Sequence, residues 1–334
     1  MNFLANKSIL ITGGTGSFGS SFLKRLLKLK KKPKKIIIFS RDELKQFELS
    51  KIYDEKKFSN IRYFLGDIRD KERLKMAFED IDYVIHAAAL KQVPTAEYNP
   101  IEFVKTNVIG SQNIIEAAIE KNVKKVIALS TDKASSPINL YGATKLCADK
   151  LFLSANTLVG KKITSFSVVR YGNVFGSRGS VIPFFLDLVK KKKNLIITDP
   201  KMTRFNIDLD DAIELVINVI KLSIGGEIFV PKISSYRIMD IAKAIQDKKN
   251  FIVTGIRPGE KLHEELISKA ESYNTFDLGN YFIIAGNQKS INYYIKKKYK
   301  KMKIGNNYNS FNNKDFLDVV QIKNLIENYK KNIT

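Results

Sequence analysis

A doubly wound α/β fold, with a mostly parallel sheet covered by helices on both faces, is the class this sequence predicts, and three observations predict it. Apolar β-branched runs alternate with amphipathic stretches of helix length. The runs are continuously hydrophobic rather than alternating, as strands buried on both faces require. The first run empties into a glycine-rich turn. The strands read as SILITGG, KKIIIFS, IRYFLGD, DYVIHAAA, KKVIALST and ITSFSVVRYGN, separated by helical segments such as SSFLKRLLKLKK and GSQNIIEAAIEKN. Beyond Asn173 the rhythm loosens into GSRGSVIPFFLDLVKKKK, a helix over DLDDAIELVINVIKL, the run GGEIFVPKISS and the loop GIRPGEK. The predicted layout is a Rossmann dinucleotide-binding domain over residues 1–175, to which the chain returns near 200–225. A smaller substrate-binding lobe is assigned 176–199 and 226–285, over the carboxyl ends of the strands where open sheets place ligands. The Lys/Asn-rich segment 286–334 is expected to close on one helix over DFLDVVQIKNLIENYK.

Composition narrows the function classes. One cysteine, Cys147, excludes a disulfide framework, and two distant histidines, His86 and His263, offer no zinc-ligand spacing, so no metal is expected. A strand-like run starts within a dozen residues of Met1, and no apolar run approaches the ~20 residues that span a bilayer. The expected address is the cytoplasm, with no membrane partner. The net charge of +23 points toward nucleic acid, yet only ten of the 57 basic residues are arginine and the lysines fall in runs such as LKKKPKK and VKKKKN. Those runs read as solvated faces, and no nucleic acid is expected as a partner.

The first turn, Gly13-Gly14-Thr15-Gly16-Ser17-Phe18-Gly19, lies between a strand and a helix, where glycines let a pyrophosphate approach backbone and helix-end amides. The second strand ends at Ser40, where an NAD enzyme keeps an acid for the ribose 2′-hydroxyl. Arg41 comes first here, with Lys45 a helical turn on, which suits the 2′-phosphate of NADP; the alternative turns Asp42 inward and leaves Arg41 in solvent. Asp67 and Ile68, after the third strand, are placed to meet the adenine edge, and Ala87-Ala88-Ala89, after the fourth, lets the cofactor lie against backbone.

The segment LSTDKASSPINLYGATK carries the chemistry. Tyr141 and Lys145, four apart, share a helix face, so a lysine charge can lower the phenol's pKa while the tyrosinate takes a hydroxyl proton. Thr131 adds a hydroxyl at the end of the fifth strand. Asp132 and Lys133 are surplus to a simple redox step. In an arbitrary protein they would be a surface ion pair; here they sit on the carboxyl edge of the sheet beside the Tyr-Lys pair. Arg178, Arg204 and Arg257 lie in loop-like motifs beyond the cofactor half, suited to bidentate pairing with a diphosphate or to ion pairs across the lobe junction.

The motifs ILITGGTGSFG, SRDELKQFE, GDIRDKERL, HAAALKQVPTAEYNP, STDKA, NLYGATK, RYGNVFGSRGSVIPFF, TDPKMTRF, GGEIFVPKI and GIRPGEKLHE resemble the extended short-chain dehydrogenase/reductases over about residues 7–285. More narrowly, they are similar to the inverting UDP-N-acetylglucosamine 4,6-dehydratases that begin pseudaminic acid synthesis. Retaining sugar-nucleotide dehydratases look alike but carry Asp-Glu where this chain has Asp132-Lys133. The resemblance implies an NADP-dependent hydro-lyase acting on UDP-N-acetylglucosamine and giving UDP-2-acetamido-2,6-dideoxy-β-L-arabino-hex-4-ulose, for flagellin or surface glycosylation. It implies Tyr141 as the base of the redox step, a neutral Lys133 as the C5″ base and Asp132 as the acid for the C6″ hydroxyl, Lys133 being neutralised by desolvation or by the charge of Lys145. By likeness Asn173 and Arg178 contact substrate, Val174 approaches the nicotinamide, Arg257 and Glu260 address diphosphate and ribose, and Lys91 and Thr106 belong to the cofactor and substrate rim. A homo-oligomer is implied as well. Two departures stand out: KQVP where the subfamily usually has KHVP, and Asn206 where a tryptophan is typical. The competing readings are a sugar-nucleotide 4-epimerase, a retaining dehydratase, and a dinucleotide-sensing regulator or nucleic-acid binder on the same fold.

Overall fold

The computed structural model describes residues 2–177, 179–246 and 251–331. Its first part runs β1 (Ser8–Thr12), α1 (Ser17–Leu27), β2 (Lys35–Ser40), α2 (Glu43–Ile52), β3 (Ile61–Leu65), α3 (Lys71–Ala77) and β4 (Tyr83–His86). Short α4 (Val93–Tyr98) and α5 (Pro100–Phe103) lead through a π-helical turn at Val104–Ile109 into α6 (Gly110–Glu120), then β5 (Lys125–Thr131), α7 (Leu140–Leu158) and β6 (Ser165–Tyr171). Next come β7 (Asn173–Val174), α8 (Val181–Lys190), β8 (Leu195–Ile197), β9 (Thr203–Ile207), α9 (Leu209–Leu222), β10 (Glu227–Pro231), β11 (Ser235–Arg237), α10 (Ile238–Ile245) and β12 (Phe251–Val253). The chain continues with β13 (Glu265–Ile267), β14 (Thr275–Asp277), β15 (Tyr281–Ala285), α11 (Gln288–Lys296), β16 (Lys300–Lys301), β17 (Tyr308–Asn309) and α12 (Val319–Lys331).

The central sheet has ten strands in the order β3-β2-β1-β4-β5-β6-β10-β15-β14-β16. β1 to β6 and β10 pair in parallel, and the chain order reverses at β1, which pairs with both β2 and β4. That reversal opens a crevice at the carboxyl ends of β1 and β4, the place where this architecture takes ligands. Burial follows the continuous apolar runs: all five residues of β1 and of β10 are buried. One face packs α1 and α9 through Phe22, Leu26, Ile213 and Val216; the other packs α3, α6 and α7 through Leu74, Ile114 and Phe152. A third core, built on Ile182, Phe185, Ile241 and Ile322, joins α8, α10 and α12 into a lobe beside the crevice.

The lobe's predicted boundaries need correction. Residues 226–285 are not all lobe, because β10, β14 and β15 extend the central sheet, β10 beside β6 and β15 antiparallel to β10. The run EIFVP is apolar on both faces and can be buried only inside a covered sheet. The Lys/Asn-rich segment is divided in the same way: β16 adds the outermost strand, while α12 belongs to the lobe and packs on α10. Helix α12 begins at Val319 rather than further upstream because Asp318 accepts from Gln321 N (2.8 Å) while the Gln321 side chain accepts from Asp318 N (2.9 Å), a reciprocal cap. Tyr329 of α12 meets Phe175 edge to face, and its ring lies so close over Gly176 that a Cβ there would stand 2.3 Å away.

Candidate active site

A cavity of about 670 Å³ occupies the crevice. Its cofactor side is lined by Gly13, Thr15, Gly16, Ser17, Phe18 and Gly19 from the first turn, Ser40 at the end of β2 with Arg41, Asp42 and Lys45 beyond it, Asp67 and Ile68 after β3, and Ala87 to Leu90 after β4. The turn is tight because Gly13 has φ +64° and its Cα faces the Ala87-Ala88 backbone, where an added Cβ would lie 2.8 Å from Ala88 N. This groove of bare backbone at a helix N-terminus fits a dinucleotide pyrophosphate. Thr15 and Ser40 join their hydroxyls across it at 2.9 Å. Asp42, also on the cavity wall, caps α2 through Lys45 N and pairs with Lys45 Nζ at 2.5 Å. Arg41 reaches back to Asp67 at 3.4 Å and leaves about half its side chain exposed at the rim.

The chemical side is built where β5 meets α7. Thr131 ends β5, Asp132 to Ala134 form one 3-10 turn, and α7 starts after Asn139, whose side chain accepts from Gly142 N. Helix and turn touch backbone to backbone: a Cβ on Gly142 would lie 2.2 Å from Lys133 O, so only glycine lets Tyr141 come this close to Lys133. Tyr141 and Lys145 line the cavity with Thr131, Lys133, Asn173 and Val174, and Lys91 and Thr106 complete the rim. Lys145 Nζ donates to Leu129 O at 2.7 Å. The phenol of Tyr141, hydrogen-bonded with Thr131, is pushed up to about 12, chiefly by burial, against the pull of the Lys133 charge. Lys133 thus adds its charge beside the phenol, while Lys145, on the same helix face as Tyr141, is held on the Leu129 carbonyl.

Asp132 is fully buried behind Lys133. Its Oδ1 accepts from Lys133 Nζ (3.1 Å) and from Thr131 Oγ1 (3.0 Å). Burial raises the Asp132 carboxyl above its ordinary range despite the Lys133 charge. A second buried carboxylate, Glu264, places Oε1 3.3 Å from the same ammonium. The neutral Lys133 expected from desolvation is thus corrected: burial does oppose its charge, but Asp132 and Glu264 outweigh burial and hold the ammonium above the usual lysine range.

The three arginines separate. Arg204 does not face the cavity, contrary to its prediction as a diphosphate ligand; β9 turns it inward, where Nη1 donates to Thr203 O (2.7 Å) and Leu262 O (3.1 Å) and Nε lies 3.8 Å from Glu264 Oε1. Arg257 and Glu260 pair with each other on an exposed loop and do not line the cavity. That loop touches the site through Asn139, which donates to Gly259 O at 2.8 Å. Arg178 falls outside the described residues.

Two residues of the site escaped sequence reading. Asn107, on the π-helical turn, exchanges two 2.9 Å hydrogen bonds with the Leu90 backbone and donates to Thr144 on α7, so it pins the Ala87–Lys91 strip to the catalytic helix. Nothing in the spacing TNVIG marks a π-turn. Glu264 stood inside the quoted motif GIRPGEKLHE but more than a hundred residues from Lys133, a partnership only tertiary structure can make. Among the described residues no group of three or more His, Cys, Asp or Glu is placed to hold a metal, and no helix is long and apolar enough to cross a membrane.

The family described as "Polysaccharide biosynthesis protein" matches residues 9–286. A UDP-N-acetylglucosamine 4,6-dehydratase (inverting) of Campylobacter jejuni subsp. jejuni serotype O:23/36 (strain 81-176) is 53% identical over 329 residues, covering 94% of this chain and 97% of its own. A UDP-glucose 4-epimerase of Rickettsia bellii (strain OSU 85-389) is 43% identical over 331 residues, covering 97% of this chain and 96% of its own. The X-ray structure of Pen from Bacillus thuringiensis superposes with a TM-score of 0.88 at 40% identity, over 98% of this chain and 99% of that one. With the glycine turn at the sheet's reversal and the Tyr141-Lys145 pair beside it, this chain belongs to the polysaccharide biosynthesis protein family, within the extended short-chain dehydrogenase/reductases.

Proposed function

We propose that the protein is an inverting UDP-N-acetylglucosamine 4,6-dehydratase that uses NADP and feeds pseudaminic acid synthesis. One observation carries the reading: Lys133 and Tyr141 line the cavity together, and Asp132, buried behind Lys133, meets its ammonium at 3.1 Å. A 4-epimerase needs a tyrosine base and a hydride carrier but no second acid–base pair, which sets this chain's site apart from the activity named for the Rickettsia relative.

A bound nicotinamide dinucleotide supplies the hydride acceptor for C4″ and, after elimination, the hydride donor for C6″. Tyr141 takes the C4″ hydroxyl proton, leaving a ketone that acidifies the neighbouring C5″–H. A proton shift along the Lys133–Asp132 contact gives a neutral amine and a protonated acid. Lys133 Nζ then accepts the C5″ proton, the freed electron pair forms the C5″–C6″ double bond, and the C6″–O bond breaks as Asp132 delivers its proton to the leaving oxygen, which departs as water. Reprotonation of C5″ on the opposite face inverts that centre. Arg41 and Lys45 would hold the 2′-phosphate, Asn173, Arg178 and Lys91 the sugar nucleotide, and Arg257 and Glu260 its diphosphate and ribose if their loop folds over the bound ligand.

The test is to incubate the protein with UDP-N-acetylglucosamine in D₂O and follow the sugar by NMR. A 6-deoxy-4-keto product with solvent deuterium and altered coupling at C5″ is expected. A C4″ epimer without deuterium at C5″ would sink the proposal in favour of the epimerase. Cofactor choice has its own measurement: Arg41→Ala should weaken NADP binding roughly 10- to 100-fold, as expected for one lost charge-assisted contact, and leave NAD binding nearly unchanged. Equal losses for both cofactors would remove Arg41 as a 2′-phosphate ligand.

A further inference from the structure

Two buried carboxylates converge on one ammonium. Lys133 Nζ lies 3.1 Å from Asp132 Oδ1 and 3.3 Å from Glu264 Oε1. The far oxygen of each carboxylate, Asp132 Oδ2 and Glu264 Oε2, is buried with no hydrogen-bond partner among the described residues. Behind Glu264 stands Arg204, its Nε 3.8 Å from the same Oε1 and its Nη1 anchored on two carbonyls. A guanidinium keeps its charge at any working pH, so Glu264 has a permanent positive neighbour and stays ionised. At Lys133 the guanidinium offsets only part of the nearer carboxylate, 3.3 Å from the ammonium. Within that field sit Asp132, Lys133 and the protons they share. The other titratable groups facing Lys133 are Tyr141 on α7, Tyr236 on β11, and Lys91 and Lys261 from the two flanking loops; the lysines repel its ammonium.

We propose that Glu264 is a positioning residue whose fixed negative charge sets the pH window in which the Asp132–Lys133 pair carries a single proton. The inference rests on the reading in which that pair runs the elimination. One proton is what the step requires: with none, nothing releases the C6″ oxygen as water, and with two, no base is left for C5″. Glu264 shifts both ends of the window upward, since it favours the ammonium of Lys133 and disfavours the carboxylate of Asp132. It also faces the charge that Lys133 acquires on taking the C5″ proton, so that charge forms opposite a preplaced counter-ion. Residue and role are distinct from substrate contact, because Glu264 reaches the reaction only through Lys133.

The experiment compares native holoenzyme with Glu264→Gln and Glu264→Asp. The readouts are the pH profile of kcat for the 4-keto product from UDP-N-acetylglucosamine, its KM, and the absorbance of reduced nicotinamide in a single turnover. Glu264→Gln should move both limbs of the profile to lower pH, the alkaline limb by a full pH unit or more. It should also leave KM unchanged and let reduced nicotinamide accumulate, because hydride removal now outruns elimination. Glu264→Asp, with its charge one methylene further back, should move the limbs the same way by less, and this variant decides the matter if the glutamine variant does not fold. Unmoved limbs, or equal slowing of hydride removal and elimination, would overturn the proposal. Failure of the dehydratase reading shows separately, as a native enzyme that yields no 6-deoxy-4-keto sugar.

Discussion

Replacing Lys133 with methionine should slow formation of the 6-deoxy-4-keto sugar by about 10²- to 10⁴-fold, the usual worth of a positioned acid or base, and should abolish deuterium entry at C5″. Methionine fills most of the lysine's volume, so the 3-10 turn and its contact with Gly142 are expected to persist. Cofactor binding should persist with them, because the pyrophosphate cradle is built from the first turn and the Ala87-Ala88 backbone, on other elements. Titration of bound cofactor and NMR of the sugar read the two effects apart. C5″ exchange at the native rate in this variant would show that another base serves the step. Loss of cofactor instead would make Lys133 a structural residue. The buried carboxylate of Asp132 responds too: without the ammonium at 3.1 Å it stays protonated, and no anion is stranded in the core.

The largest effect on stability is expected at Arg170. It is completely buried on β6, with its guanidinium 3.2 Å from Asp149 on α7, 2.8 Å from Glu271 and 3.1 Å from Leu266 O. Arg170→Met strands the buried Asp149 carboxylate and the half-buried Glu271 one at once and should cost about 3–5 kcal/mol, read as a lower urea midpoint. A loss within ~1 kcal/mol would mean that the carboxylates find other partners or protonate without penalty. The pH dependence gives a second signature. Burial pushes the Glu271 carboxyl up, but the Arg170 charge and the bonds from Ser268 outweigh it and hold the folded value below the ordinary range. That contribution is fully present above the unfolded pKa and is lost as pH falls through the depressed folded one. Native protein should therefore lose stability on acidification more steeply than Arg170→Met. The triad also ties α7, one turn beyond Lys145, to the sheet, so the variant's Tyr141 should be less well placed.

Much of this site was legible in the sequence because its parts are local. A glycine turn between a strand and a helix, two residues four apart on one helical face, and an Asp-Lys pair after a strand end all declare themselves within a few residues, and Gly13, Tyr141, Lys145 and Lys133 lie where they were expected. What stayed hidden depends on segments distant in sequence. Glu264 and Arg204 have meaning only once the residue 260–264 loop and β9 are folded against the 3-10 turn. An arginine in a loop-like motif looks the same whether it awaits a phosphate or neutralises a buried glutamate. The boundary of the lobe was misread for a related reason: strands of three to five residues, such as β14 and β10, state that they are buried but not in which sheet.

The contact of Tyr329 with Phe175 and Gly176 orders assembly in time. In a chain made from its N-terminus onward, every strand lining the cofactor cradle is complete long before α12 exists, while Tyr329 can cover Phe175 and Gly176 only once α12 arrives. The residues of the cofactor cradle thus leave synthesis well ahead of the one that covers the lobe's entrance.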